Sequence, residues 1–83
     1  MGNGTVVQIP ERIEGAETVK IGRKAFLSNK RIQEVSLPGG IREIDDWAFA
    51  YCSRLACVYL PRREILFGKG AFLQCEKLEQ MVP

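Results

Sequence analysis

Apolar residues return along this chain at one long interval, not at the short periods of a single helix or strand. Ala25-Phe26, Ala48-Phe49 and Ala71-Phe72 stand 23 residues apart. Around each pair the same spacing aligns Ile21, Ile44 and Phe67, then Gly22, Asp45 and Gly68, then Asn29, Cys52 and Cys75. It continues through Ile32, Leu55 and Leu78 and through Val35, Val58 and Met81. Coincident columns at such a period mark a repeat architecture, in which one unit cannot bury its own apolar side and must stack on the next. Leu37-Pro38 matches Leu60-Pro61, but Ile9-Pro10 stands 28 residues before Leu37-Pro38. The first unit therefore carries about five extra residues, which we place within Glu11 to Thr18. At the other end Pro83 falls where Leu60 has its equivalent, so the last strand is expected to be cut short or to slip by one.

Within one unit, Val58 and Leu60 are two apart and point to one face, while Cys57 and Tyr59 point to the other, which is the strand period. Pro61 follows, removes a backbone donor and stops the pairing. A second extended piece, Ile41 to Ile44, leads into Trp47-Ala48-Phe49-Ala50-Tyr51, whose spacing suits one helical or 3₁₀ turn with Phe49 inward. Small Ala48 lets that turn approach the sheet. Asn29, Cys52 and Cys75 then occupy the corner before the next strand, where a compact side chain fills space or satisfies turning backbone groups. Coils of this kind stack with strands about 4.7–4.9 Å apart, forming a parallel sheet over a continuous apolar interior.

The pattern Ile-Gly-x-x-Ala-Phe-x-x-Asn/Cys-x-x-Ile/Leu-x-x-Val-x-Leu-Pro resembles the BspA-like subclass of leucine-rich repeats, found in many bacterial surface proteins. The resemblance covers Ile21 to Met81, with Val7 to Pro10 as a preceding strand. It implies an α/β-type leucine-rich-repeat solenoid, a right-handed coil of short parallel β-strands with one helical or 3₁₀ turn per coil. On this reading residues 1–83 form a single solenoid domain of about three repeats. Its parts are 5–38 (first strand and long first repeat), 39–61 (second) and 62–83 (third, truncated). The resemblance also implies a protein-binding or adhesive role, often at the bacterial cell surface or secreted, and brings no catalytic residue. This sequence departs from the pattern at Asp45 in place of Gly, at Phe67 in place of Ile, and at Glu64-Ile65-Leu66, where the apolar position is shifted by one.

Charge and missing chemistry narrow the function further. Twelve Lys and Arg against ten Asp and Glu leave a net charge of +2. That balance argues against nucleic acid as a partner, because phosphate binding needs concentrated positive charge. No apolar stretch approaches the roughly 20 residues needed to cross a bilayer. The N-terminal residues lack a basic and an apolar segment in series, so they do not read as a secretory leader. The chain contains no His, which removes the usual general base, the Ser-His and Cys-His nucleophile pairs and the commonest metal ligand. We expect no enzyme activity, no cofactor and no metal site. Glu43, Asp45 and Asp46 read as solvated surface, and Gly68-Lys69-Gly70 lacks the Gly-Lys-Ser/Thr that a phosphate loop requires.

Three cysteines remain. Stacking would set the Cα atoms of Cys52 and Cys75 roughly 5 Å apart, inside the disulfide range. Asn29 serves the same corner in the first unit, which favours reduced, space-filling thiols over a bridge. Cys57 is expected on the outward strand face as an odd thiol, open to reaction or to a partner.

The outward strand face is the expected binding surface. Alternation places Glu34 and Ser36, Cys57 and Tyr59, and Gln80 and Val82 in adjacent rungs, with Val6 and Gln8 as a further rung. Tyr59 is its natural anchor, an amphipathic ring that loses little entropy on contact. Arg42, Arg62, Arg63 and Lys69 suggest a basic rim beyond the strands, with solvated surface the competing reading. Neither end of the stack shows a polar cap, which a soluble solenoid needs. End-on packing is therefore expected, either within a longer array of coils or between copies that pair at Val7 or Met81. The competing function is a structural spacer or capping segment of a larger repeat protein, with no ligand of its own.

Overall fold

A computed structural model describes residues 5–82. Four short strands, β1 (Thr5–Gln8), β5 (Ile32–Ser36), β7 (Cys57–Tyr59) and β9 (Gln80–Val82), form one parallel sheet in that order. Three two-residue strands, β4 (Lys20–Ile21), β6 (Glu43–Ile44) and β8 (Leu66–Phe67), form a second parallel sheet. Each of three coils contributes one strand to each sheet, with β1 as a fourth strand of the first, so the repeat of 23 becomes the register itself: Glu34 lies beside Cys57 and Gln80, Val35 beside Val58 and Met81, and Ser36 beside Tyr59 and Val82. The last strand does not slip, since Tyr59 pairs with Val82 as the repeat demands. Pro83 lies outside the described residues.

The extra residues of the first repeat sit where the offset placed them. β2 (Arg12–Ile13) and β3 (Ala16–Glu17) form a small antiparallel hairpin, closed by Glu14 and Gly15 with φ of 52° and 84°. Two consecutive left-handed residues are what a two-residue hairpin turn of the primed type requires. The excursion returns to register through the Thr18 amide, which donates to the Glu11 carbonyl at 2.8 Å. Beyond it, Val6 still aligns with Glu34 and Gln8 with Ser36.

The core consists of stacked columns. Phe26, Phe49 and Phe72 lie one above another with ring centroids 5.0 and 5.2 Å apart and planes within 3° of parallel. The middle coil is covered on both sides: Phe49, Ile41, Ile44, Leu55, Val58 and Cys52 are fully buried. Each large side chain so enclosed stabilises the fold by about 1.5–3 kcal/mol relative to exposure. The outer coils lend the same columns only one neighbour, and Phe26 and Phe72 are half-buried. In the third coil Glu64 occupies the position of Ile41, and Ile65 packs against the core in its place. The shift is absorbed before β8, where Glu43 and Ile44 pair with Leu66 and Phe67 in the regular register.

The helical or 3₁₀ turn expected in each coil is not formed; the described residues contain no helix. Residues 23–28 and their equivalents run as consecutive β-turns. Ala25, Leu27 and Asn29 amides donate three residues back, to Gly22, Lys24 and Phe26 carbonyls, while the alternate amides of Lys24, Phe26 and Ser28 donate to the next coil. A helix would turn all of these donors inward along its own axis. Half of them reach the neighbouring coil only because the chain flips into left-handed conformation at Lys24 and Ser28, at Trp47 and Tyr51, and at Gly70 and Gln74. Five of those six are not glycine, and each such residue costs about 1–2 kcal/mol. The backbone of these residues is set by contact with the next coil and not by a helical turn of their own.

Candidate binding face

The outward side of the four-stranded sheet carries two rows of side chains. Val6, Glu34, Cys57 and Gln80 form one, and Gln8, Ser36, Tyr59 and Val82 the other. The structure thus brings together all six residues expected there, Glu34, Ser36, Cys57, Tyr59, Gln80 and Val82. Tyr59 is 41% exposed, and its hydroxyl donates to Glu34 Oε1 at 3.5 Å. The Cys57 thiol two residues away on the same strand, and then the Glu34 carboxylate, push its ionisation above the ordinary phenol range. The ring is therefore neutral and held from one side. Val6, at 54% exposure, adds apolar surface at the far edge.

Cys57 corrects an expectation. Alternation does turn it outward, but it is only 6% exposed, because Glu34 and Gln80 flank it in the same row and Tyr59 lies two residues along the same strand. Alternation predicts the direction of a side chain and not the cover its lateral neighbours supply. The open, reactive thiol is not found.

The other two cysteines work inside the stack. All three are free. Cys52 donates through its thiol to the Phe26 carbonyl at 3.1 Å, and Cys75 repeats this toward the Phe49 carbonyl at 3.0 Å. Asn29, in the same column, accepts from the Arg31 and Ile32 amides instead. Burial raises the ionisation of Cys52 to about 11 and raises that of Cys75 as well. Both are protonated donors at neutral pH.

Of the expected basic rim, Arg42 and Arg63 share a shallow depression with Glu64 and Leu66. Arg63 is also turned to the Gly39 carbonyl at 3.3 Å. The rim is mixed in charge. Among the described residues no three acidic or cysteine side chains converge as a metal site would require, and no helix is long and apolar enough to cross a membrane.

One surface was not anticipated. On the turn edge Trp47 lies beneath Arg23 and Lys24, whose cationic groups are 5.3 and 5.7 Å from its ring, and Lys24, Leu27, Trp47 and Tyr51 line an open shelf. Trp47 and Tyr51 hold the left-handed positions that flank buried Phe49. Only knowledge of those backbone conformations would have turned both rings outward together.

Comparison with known proteins bears on this geometry directly. The family described as "BspA type Leucine rich repeat region (6 copies)" matches residues 5–82. The chain belongs to that BspA-type leucine-rich-repeat family. Members of the family are typically non-enzymatic, and leucine-rich repeats commonly mediate protein binding. Among solved structures, the chain is similar to the leucine-rich-repeat protein of T. pallidum, with 34% identity and a TM-score of 0.89 over 99% of its length. A leucine-rich-repeat protein from Bacteroides ovatus shares the fold, with 20% identity and a TM-score of 0.50 over the whole chain. The chain spans 38% of the T. pallidum protein and 34% of the Bacteroides protein. No curated protein matches it.

The Asp45 departure from the BspA-type pattern has a local explanation. Asp45, in the column of Gly22 and Gly68, accepts from the Asp46 amide at 2.7 Å and pairs with Lys20 at 3.2 Å. That backbone bond, and then Lys20, hold its carboxyl below the usual range. Asp46 in turn accepts from the Lys69 amide of the next coil at 2.8 Å. Both carboxylates organise turns, a role beyond the solvated surface expected of them.

Proposed function

We propose that this chain is a protein-binding module whose recognition surface is the outward face of the four-stranded sheet, centred on Tyr59. The supporting observation is the Tyr59 ring itself: exposed, neutral, tethered to Glu34, and set on a strand paired on both sides. A ring held in place before contact loses little freedom on binding, and Tyr is enriched among residues that carry interface energy. Glu34, Ser36, Gln80 and Val82 flank it on the same face with mixed polar and apolar groups, and covered Cys57 precedes it by two residues on the same strand.

The test is a direct affinity measurement against a purified protein partner selected with the unaltered chain. Tyr59→Ala should weaken binding tenfold or more with little change in melting temperature, whereas Tyr51→Ala on the turn edge should leave affinity unchanged. Equal affinity for the Tyr59→Ala and unaltered chains would sink the proposal. That result would favour the structural-spacer reading, in which the coils carry no ligand.

A further inference from the structure

Positive charge gathers on the turn edge. Between Thr18 and Gln33 the chain has five Lys and Arg, namely Lys20, Arg23, Lys24, Lys30 and Arg31, and no Asp or Glu. Among the described residues only Lys20 of these five makes an ion pair, with Glu43 and Asp45. Arg23 and Lys24 turn instead to Trp47 of the next coil, their charged groups 5.3 and 5.7 Å from its ring. Contacts of that kind hold two long side chains in place without neutralising them. The carboxylates of the neighbouring turn are engaged with other groups. Asp45 takes the Asp46 amide and Lys20, with Arg23 the smallest influence on its carboxyl, and Asp46 takes the Lys69 amide.

Beside the two cations Lys24, Leu27, Trp47 and Tyr51 line a hollow of about 220 Å³. Drug-sized ligands occupy clefts of roughly 300–1,000 Å³, so this space suits one or two side chains and not a cofactor. Its walls are open, with Leu27 39% and Tyr51 45% exposed. Trp47 and Tyr51 belong to the middle coil, so a further coil at either end would not cover their rings. The walls are also fixed. The Lys24, Trp47 and Tyr51 amides donate to the Asp46, Lys69 and Leu73 carbonyls of the following coil at 3.0, 3.0 and 2.7 Å. A Cβ at Gly70 would stand 2.7 Å from the Trp47 ring, which therefore lies against the third coil. Groups ordered before contact lose little freedom on binding.

We propose that this edge docks an acidic segment of a partner protein, one apolar side chain seated in the hollow and its neighbouring carboxylates against Arg23 and Lys24. The charge selects an anionic partner. A hollow between side chains receives a knob, which a peptide supplies and a lipid surface does not, and two cations are too few to hold a phosphate backbone. The site is separate from the Tyr59 face and stands independently of it.

Trp47 is the only tryptophan, so its fluorescence in the full chain reads occupancy directly. The probe is a synthetic peptide in which single leucines alternate with pairs of glutamates. Titration should give a saturable change in Trp47 emission. Lys24→Asp should weaken the peptide by about tenfold or more, and aspartate tolerates the left-handed backbone found at that position. Should far-UV circular dichroism show this variant unfolded, Lys24→Asn and Arg23→Gln replace it, each expected to weaken the peptide by roughly threefold or more. Tyr59→Ala should bind the peptide as the unaltered chain does. No saturable change up to millimolar peptide overturns the proposal. Equal affinity for a peptide with glutamine in place of glutamate, or alanine in place of leucine, overturns it as well. Phosphatidylglycerol vesicles that shift Trp47 emission where the peptide does not would assign the edge to a membrane surface and overturn it too.

Discussion

Single side chains in this repeat are chosen by what the neighbouring coil leaves unsatisfied. The corner column shows it: Asn29 accepts from backbone amides of its own coil, whereas Cys52 and Cys75 donate to a carbonyl of the coil before. A thiol in that role must keep its proton, and the ordinary value of 9.0 moves to about 11 at Cys52. The folded state then holds a proton that the unfolded chain gives up first, so stability is fully present below pH 9 and declines as pH rises toward 11. Urea titrations at pH 8 and 10.5 should show the lower midpoint at the higher pH, and Cys52→Ser should flatten that difference. The same shift leaves about a hundredfold less thiolate, so alkylation of Cys52 at pH 8 should lag the unfolded chain by about that factor. Labelling of Cys52 at the unfolded rate would contradict the assignment. The corner was legible in the sequence as a compact, turn-satisfying position; that Asn and Cys would satisfy opposite groups was not, because residue type alone does not say which partner the next coil supplies.

Turns, more than strands, determine what a coil tolerates. Gly22 and Gly68 share a column, yet a Cβ at Gly68 would stand 2.5 Å from the Asp46 backbone nitrogen, while one at Gly22 meets nothing within 4 Å. The difference is the Asp45-Asp46 turn, which lies against Gly68 and has no counterpart in front of Gly22. Gly68→Ala should therefore cost about 1–3 kcal/mol and several degrees of melting temperature, with Gly22→Ala close to neutral. Equal melting temperatures for the two variants would refute the packing argument. The strands, their register and the inward columns were readable because they repeat at a fixed interval. The turn conformation was not, since left-handed backbone falls on Lys24, Ser28, Trp47, Tyr51 and Gln74, residues that carry no such preference. Only Gly70 among them signals it. The outward rows containing Tyr59 and Glu34 followed from alternation, but the cover over Cys57 and the Trp47 shelf depended on lateral neighbours that no local pattern encodes.

Across the whole molecule, protection should grade along the stack because each coil is stabilised chiefly by its immediate neighbours. The middle coil has two and the third has one. Amide hydrogen exchange in dilute solution should be slow at Trp47, Phe49 and Tyr51, which donate to the third coil, and near the unfolded rate at Gly70, Phe72 and Gln74. Uniform protection across both sets would show that the stack opens as a single unit.

The alternating turn bonds also make the turn edge of the solenoid electrically polar, while the amides of Asp45, Leu66 and Gly68 in the second sheet point the other way. In every coil three peptide groups on that edge point the same way along the stack, with the hydrogen toward the C-terminal end and the oxygen toward the N-terminal end. Their small dipoles add in line as they do in a helix, although the described residues contain none. A partial positive charge gathers at the turns of Gly70 to Gln74 and a partial negative one at those of Arg23 to Leu27. Each coil added in register would extend that field.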